Sequence, residues 1–367
     1  GSFTAWRTAN IRYVIIPRVE ANHLSIRLIS LNNEVVKEIS EVALSGDLNE
    51  DRRRLHHVAD SIHFELFGVQ GIASTRILYT KRIGNSKGDM ISEIWEADYD
   101  GGGARQITHD VGYAVTPTYV PPAPGMATRQ FLYVTYRWGQ PKLIYASLKD
   151  GEGQRFSLLK GNQLLPAVSK QRDKVAFISD VTGNPDLFIQ SFSPEQGPIG
   201  KAQQVFSAPG AVQGSPSFNP DGTRLAFVSN KAGQAQIFTM IIPASGARLK
   251  DLRPTLISTR ARNGTAPAWS PDGSKIAFTA LTDGVRQIWM YDFNNGQEYQ
   301  LTSGTGNKEN PSWAPDSLHL VYNTSDPGAA ELYLLDLRRL KPIKINLGPG
   351  EKRFPSWEPR AAANIHP

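Results

Sequence analysis

The sequence repeats a proline followed two residues later by an aromatic or aliphatic residue, at intervals of 44 to 51 residues. A second landmark, an apolar segment such as QIWMYDF at 287–293, recurs in step with these prolines. Recurrence at this period is typical of repeat architectures, in which each repeat is one small unit of secondary structure. The copies of the first landmark begin at Pro117, Pro166, Pro216, Pro267, Pro311 and Pro355.

Each repeat has room for four short strands separated by turns. The stretch APAWSPDGSKIAF at 266–278 contains two strand-like segments joined by a Pro-Asp-Gly turn, and the same turn occurs at 220–222. Proline fixes φ at about −65°, and glycine accepts the positive φ that such a turn needs. Four strands in a repeat of this length are typical of a β-propeller blade. We therefore predict an all-β, six-bladed β-propeller with four-stranded blades.

The two ends of the repeat region complement each other. The last repeat begins with FPSWEP at 354–359 and stops after one strand, whereas 76–81, 93–99 and 104–110 are three strand-like segments before the first complete repeat. Pairing these segments would complete the sixth blade from both ends, a Velcro-like closure that leaves no free sheet edge. We predict this closed ring for residues 71–360, followed by a C-terminal tail at 361–367.

Residues 1–70 have a different pattern. Alternating segments between residues 9 and 42 predict strands, and apolar residues from 48 to 66 recur at helical spacing. Asp47, with Glu50 three residues later, forms a capping-box arrangement, and Gly68 suits the end of this helix. We predict a partial N-terminal α/β domain, because its sheet would need more strands than the sequence shows.

Composition excludes several classes of function. The chain contains no cysteine, so disulfides, thiolate metal sites and cysteine nucleophiles are excluded. Its net charge of +6 comes without clustered basic and aromatic residues, which argues against nucleic-acid binding. No apolar run approaches the ~18 residues of a membrane span, so we expect no membrane insertion. His56, His57 and His63 lack a metal-binding spacing and are interpreted as packing or solvent-facing residues.

The junction between the two regions carries a family resemblance. Residues 55–80 read LHHVADSIHFELFGVQGIASTRILYT, a helix followed by a Gly-x-x-x-Thr-Arg-Ile-x-Tyr motif that leads into the repeats. This junction and the WD40-like repeats resemble the TolB family of the bacterial Tol–Pal system over nearly the whole chain. Some peptidase propellers have similar repeats, but the junction favours TolB. Family members carry an additional strand and helix before the equivalent of residues 9–20.

The resemblance implies a non-enzymatic, periplasmic protein-interaction module. It implies binding of a Pal-like peptidoglycan-associated lipoprotein at the mouth of the propeller channel, with roles in outer-membrane integrity, cell division and protein transport. A TolA-like inner-membrane protein would contact the N-terminal region that is absent here. We expect a monomer without a cofactor, with a loosely bound cation in the channel as an open alternative.

The family contact site corresponds to the loops that precede the repeated prolines. These loops also hold several Lys and Arg residues, so we expect a polar, basic mouth that suits an acidic partner. The predicted partner-binding residues are Tyr113, Thr116, Gln213, Ser215, Asn263, Thr265, Ala266, Lys308, Glu309, Asn310, Lys352, Arg353 and Phe354.

Two alternatives stay open at this point. A metal-dependent hydrolase or lactonase-type propeller would need carboxylates converging on a central cation, and the same loops supply Asp110, Glu309 and Glu351 among basic residues. A serine-hydrolase motif is not present, because GSPS at 214–217 has proline where the nucleophile would lie. The second alternative is a propeller scaffold with a different partner.

Overall fold

The computed structural model describes residues 3–32, 36–84, 90–110 and 112–361. The chain divides into two compact units, Gly1–Ser74 and Thr75–Pro367. The domain limits at residues 70 and 360 stay predictions, and the predicted tail lies, beyond Ala361, outside the described residues. Among the described residues, no helix is long and apolar enough to cross a membrane.

The first unit contains a three-stranded antiparallel sheet and a long helix. Its sheet has the order β1-β2-β3, and apolar residues of β2, among them Leu24 and Ile26, pack against Val58 and Ile62 of the helix α2. Its description as part of an α/β domain stays a prediction. The elements are α1 (Phe3–Thr8), β1 (Tyr13–Glu20), β2 (His23–Ser30), β3 (Val36–Ala43) and α2 (Leu48–Phe67).

Both predicted caps of α2 are confirmed. The Asp47 carboxylate accepts a hydrogen bond of 2.9 Å from the Glu50 backbone N–H, which satisfies one of the free donors at the helix start. Gly68 adopts φ 68°, and its N–H donates to the Phe64 carbonyl at 2.8 Å. The buried carboxylate of Asp60, within α2, accepts hydrogen bonds from the N–H groups of Ala73 and Ser74 at 2.7 and 3.0 Å. These bonds tie the segment that follows the helix to it and fix the end of the unit.

The described residues of the second unit form a propeller-like array of six four-stranded antiparallel sheets. Sheet 1 begins with β4 (Arg76–Gly84), β5 (Met90–Asp98) and β6 (Arg105–Gln106). Sheet 2 contains β7 (Ala114–Tyr119), β8 (Gln130–Thr135), β9 (Lys142–Ser147) and β10 (Gly153–Arg155). Sheet 3 contains β11 (Gln163–Val168), β12 (Lys174–Ser179), β13 (Asp186–Ser193) and β14 (Gly197–Phe206).

The remaining sheets follow the same strand order. Sheet 4 contains β15 (Gln213–Phe218), β16 (Arg224–Ser229), β17 (Gln236–Ile241) and β18 (Thr255–Leu256), with a 3-10 helix at Leu249–Asp251. Sheet 5 contains β19 (Arg262–Trp269), β20 (Lys275–Thr282), β21 (Val285–Asp292) and β22 (Gln297–Gln300). Sheet 6 contains β23 (Lys308–Trp313), β24 (His319–Thr324), β25 (Leu332–Asp336) and β26 (Ile343–Lys344).

The last strand, β27 (Glu351–Trp357), completes sheet 1 by pairing with β4. Glu351 lies opposite Arg82 and Trp357 opposite Ile77 in this antiparallel pair. The Trp357 indole N–H donates to the Thr75 hydroxyl at 2.8 Å. β27 is thus the first strand of sheet 1 in space, and the first strands of the six sheets contact one another in a closed cycle.

The repeated landmarks hold neighbouring sheets together. Phe218 packs in one cluster with Leu187 and Phe206 of the preceding sheet, and the Trp313 indole N–H donates to the Ala268 carbonyl of sheet 5 at 2.9 Å. The Pro-Asp-Gly turns behave as predicted, since the Gly273 N–H donates to the Ser270 carbonyl at 2.9 Å and its φ is 78°. The interpretation of the aromatic landmarks as packing residues between sheets is therefore confirmed for these positions.

Substitution of Trp357 tests how much the closing strand contributes to stability. Because its side chain is only 3% exposed, Trp357→Ala should lower the free energy of unfolding of the second unit by about 3–5 kcal/mol. Trp138→Ala, at an exposed position, should lower it by less than about 1 kcal/mol. Urea unfolding followed by near-UV circular dichroism measures both variants. Equal stability of the two would contradict a buried, closing role for Trp357.

Candidate functional site

A cavity of about 310 Å³ lies where the first strands of the six sheets meet. Its lining includes the six repeated prolines and, from each sheet, the residue directly before the proline. All six of these preceding residues are half-buried, so each contributes part of its side chain to the cavity wall. They are Thr116, Leu165, Ser215, Ala266, Asn310 and Phe354.

These pre-proline residues share an unusual backbone conformation. Their φ angles lie between 44° and 55°, a left-handed region that residues other than glycine seldom occupy. A following proline further restricts the backbone, so the conformation carries strain that the surrounding sheet must offset. In every sheet the pairing between first and second strand shifts register at this point, which marks a β-bulge. The cavity wall is therefore a ring of six preformed bulges.

In sheets 1, 3, 4 and 6 the residue three positions before the proline is a Gln or Lys that hydrogen-bonds to the loop entering the strand. In sheet 6 the Lys308 ammonium donates to the Thr305 and Gly306 carbonyls at 2.9 and 2.7 Å, and burial lowers its pKa. Gln213 of sheet 4 donates to the Ala211 carbonyl at 3.0 Å and accepts from the Ser229 hydroxyl at 2.7 Å. Both side chains are buried, and their polar atoms bind groups within the protein.

Lys352 of sheet 1 is the most deeply buried of these three side chains. It is 0% exposed, and its ammonium donates to the Glu331 carboxylate at 2.9 Å and to the Gly348 carbonyl. Lys344 also lies 3.2 Å from the same Glu331 carboxyl group. The positive charge of Lys352 is therefore neutralised inside the protein. Lys308, Lys352 and Gln213 are all buried, and their contact with a partner stays a prediction.

The other predicted residues lie around the cavity. Tyr113 and Asn263 are exposed, and Thr265 is half-buried. Glu309 forms an ion pair with Arg286, while Arg353 lies 3.3 Å from the Glu351 carboxylate. The cavity lining itself contains no charged side chain, and the charged residues of the loops lie outside it. The basic mouth stays a prediction.

Among the six pre-proline residues of the lining, Leu165 is the one absent from the predicted contact residues. Other lining residues outside that prediction include Thr118, Ser217 and Trp269. Leu165 precedes Pro166 and lines the cavity with φ 54°, as its equivalents in the other sheets do. Its position directly before the repeated proline was the available signal. Leu165 is a hydrophobic residue in a loop of mostly polar residues, so its residue type did not indicate a contact. Its spacing from the repeated proline places it with the other five pre-proline residues.

A second cavity, of about 230 Å³, continues from the first along the same strands. The two share residues such as Ser217, Ala268 and Trp269, and the second is lined further by Trp313 and by the charged residues Lys170 and Arg360. Within residues 3–32, 36–84, 90–110 and 112–361, no group of three or more His, Asp or Glu side chains is placed to hold a metal ion.

Comparison with known proteins identifies the family. The model of the TolB beta propeller domain matches residues 64–361. The chain belongs to the TolB family. The TolB homolog of Protochlamydia amoebophila is 54% identical over 312 residues, which cover 84% of this chain and 66% of that protein. The TolB homolog of Chlamydia pneumoniae is 40% identical over 294 residues, or 80% of this chain and 66% of that protein.

The chain thus spans slightly less than two thirds of the length of these TolB homologs. Among solved structures, TolB from Acinetobacter baumannii matches with a TM-score of 0.79 at 20% identity, covering 98% of this chain and 86% of that chain. The putative TolB from Agrobacterium tumefaciens matches with a TM-score of 0.55 at 16% identity, covering 76% and 91%. Both likenesses concern the fold.

Lys352 and Arg353 are neighbours in the chain, but Lys352 is fully buried and Arg353 is partly exposed, so they form a matched pair. Lys352→Met removes a buried ammonium and leaves Glu331 and the Gly348 carbonyl with fewer partners, which should lower the free energy of unfolding by about 2–4 kcal/mol. Arg353→Met should cost less than about 1 kcal/mol, because its ion pair is partly exposed. Urea titration compares the two, and a larger loss for Arg353→Met would refute the assignment.

Proposed function

We propose that this chain is the propeller component of a Tol–Pal system. Its task is to bind a Pal-like lipoprotein of the outer membrane at the cavity lined by the six pre-proline residues. The observation that supports this best is the coincidence of TolB family membership with a strained, uncharged cavity built from all six sheets. The module acts by binding and release, as a monomer, without catalysis and without a cofactor.

The proposal includes a closed, six-bladed ring. The six four-stranded sheets would be the blades, each contributing its first strand to the central axis. Pairing of β27 with β4 supports closure by both ends of the domain. A closed ring gives the cavity a wall on every side, which an open array of sheets could not provide.

The cavity has the properties of a preorganised binding site. Its wall is built on strands and held by hydrogen bonds such as those from the Asn310 N–H to the Thr279 hydroxyl, at 3.2 Å, and from the Phe354 N–H to the Asn323 side chain, at 3.1 Å. A rigid wall loses little conformational entropy on binding, so more of the contact energy appears as affinity. Proline rings, a leucine, two phenylalanines, a tryptophan and small polar side chains favour an uncharged, partly apolar segment of the partner.

The contact set follows from this geometry. We assign direct contact to the pre-proline residues and to the flanking Tyr113, Asn263 and Thr265, with Glu309 and Arg353 at the rim. The system-level roles are proposed from family membership: periplasmic location, support of outer-membrane integrity and cell division, and contact with a TolA-like protein through an N-terminal region.

Ala266 offers a direct test of the cavity. Ala266→Phe adds a ring to the wall without a new charge, so we expect the dissociation constant for a purified Pal-like periplasmic domain to rise at least ~10-fold. Ala244→Phe places the same ring on an exposed alanine outside the cavity and should leave affinity unchanged. Isothermal titration calorimetry measures both. Equal affinities for the two variants would refute the assignment of this cavity.

A further inference from the structure

The face of the second unit around the cavity is not uniform. Antiparallel pairing places the start of each first strand beside the end of the second strand, as in Ala114 opposite Thr135 and Gln163 opposite Ser179. The loops that enter the first strands and the turns that follow the second strands therefore share one face, which also holds the cavity. We call it the cavity face.

Exposed apolar side chains concentrate on one part of the cavity face. Leu158, in the loop that enters sheet 3, is 91% exposed, although hydrophobic side chains of this size normally lie largely buried. The corresponding loops and turns of sheets 5 and 6, within the described residues, contain no large exposed hydrophobic residue. In sheets 2, 3 and 4 the exposed set consists of Tyr113, Tyr136, Trp138, Leu158, Val181 and Val212, and Met90 of sheet 1 is also exposed on this face. We call the six residues of sheets 2, 3 and 4 the apolar arc.

The arc is held in place by local contacts. The rings of Tyr113 and Tyr136 meet edge to face with centroids 5.2 Å apart, and the Tyr136 N–H donates to the Tyr113 carbonyl at 3.0 Å. The Arg155 guanidinium lies over the Trp138 ring at 4.8 Å. Val212 is fixed through its N–H, which donates to the Asn230 side chain at 2.7 Å. The side chains of Tyr113, Tyr136 and Trp138 are therefore ordered before any partner arrives, which lowers the entropic cost of binding.

Two members of the arc lie close in sequence to residues that line the cavity. Tyr113 lies three residues before Thr116, and Val212 lies three residues before Ser215, both of which line the cavity. A further cavity of about 430 Å³ opens beside Trp138. Its lining is polar and carries Asp150 and Glu152 as well as Asp110, whose carboxylate lies 3.6 Å from Arg137. The uncharged cavity lined by the pre-proline residues, with its adjoining apolar rim, favours one continuous interface with a single partner.

We propose that the apolar arc is a second contact area for the same partner, which meets it with an apolar ridge. This inference rests on the proposed function and deepens it, because it places the partner off-centre over sheets 2, 3 and 4. It also changes the chemistry expected of the partner. The matching surface is apolar, whereas the loop composition alone pointed to an acidic one.

The experiment measures binding of a purified Pal-like periplasmic domain from the same organism to the full chain. Leu158→Ser should raise the dissociation constant about 5-fold and Trp138→Ala about 10-fold or more, because each removes apolar contact area. Ile241→Ser is the matched control, as Ile241 is 71% exposed and lies at the end of the third strand, away from the cavity face. The control should stay within about two-fold of the parent chain.

Salt dependence provides the second measurement. An apolar contact predicts a dissociation constant that changes less than about three-fold between low and high salt, since screening weakens only charge pairs. A weakening of more than about ten-fold in high salt would overturn the apolar arc. Thermal unfolding of Leu158→Ser at the parent temperature shows that the fold is intact, because this side chain is almost fully exposed.

The outcomes separate the two proposals. If Ala266→Phe loses binding while the arc variants bind like the parent chain, the arc inference is refuted and the cavity function stands. If the arc variants lose binding as expected and the control does not, the inference is supported. If the parent chain does not bind the lipoprotein domain, the proposed function and the arc inference both fall.

Discussion

The antiparallel pairing of β27 with β4 is the interaction on which the second unit depends. It joins the end of the described chain to the start of the sheet array and completes sheet 1. Without it, β4 would present a free edge and the cycle of contacts between first strands would be open. The cavity is a product of that cycle, because its lining comes from all six sheets.

Within this array of sheets, the same local backbone feature, a β-bulge before the repeated proline, recurs around the cavity. The pre-proline bulge turns a residue into the left-handed region in each sheet and displaces the strand pairing. Its strain persists because the sheets on both sides hold it. The same segment turns long polar side chains inward: Lys308 and Lys352 bind loop carbonyls, so the positive charge of these loops supports structure and leaves the cavity neutral. Affinity at such a site would come from shape and apolar contact.

The repeat period predicted much of the fold. It could not predict the direction of the side chains in the segments before the repeated prolines. Turn chemistry at Gly273 and the caps of α2 follow from local backbone preferences, so these predictions were confirmed. Side-chain direction in a strand follows a period of two, and a bulge breaks that period. In the segment before Pro355, no sequence rule indicates that Lys352 is buried while Phe354 lines the cavity. The loops could be located, but the residues that face a partner could not.

The contact between Thr75 and Trp357 joins residues 282 positions apart. Closing a loop of that length costs about 5 kcal/mol of chain entropy, and non-local pairing of this kind slows folding. A chain made or delivered from its N-terminus has β4 available long before β27 exists. During that interval the edge of β4 is open to any extended segment, including other sheets or neighbouring molecules. Productive folding therefore depends on keeping one strand edge unpaired until the last repeat arrives.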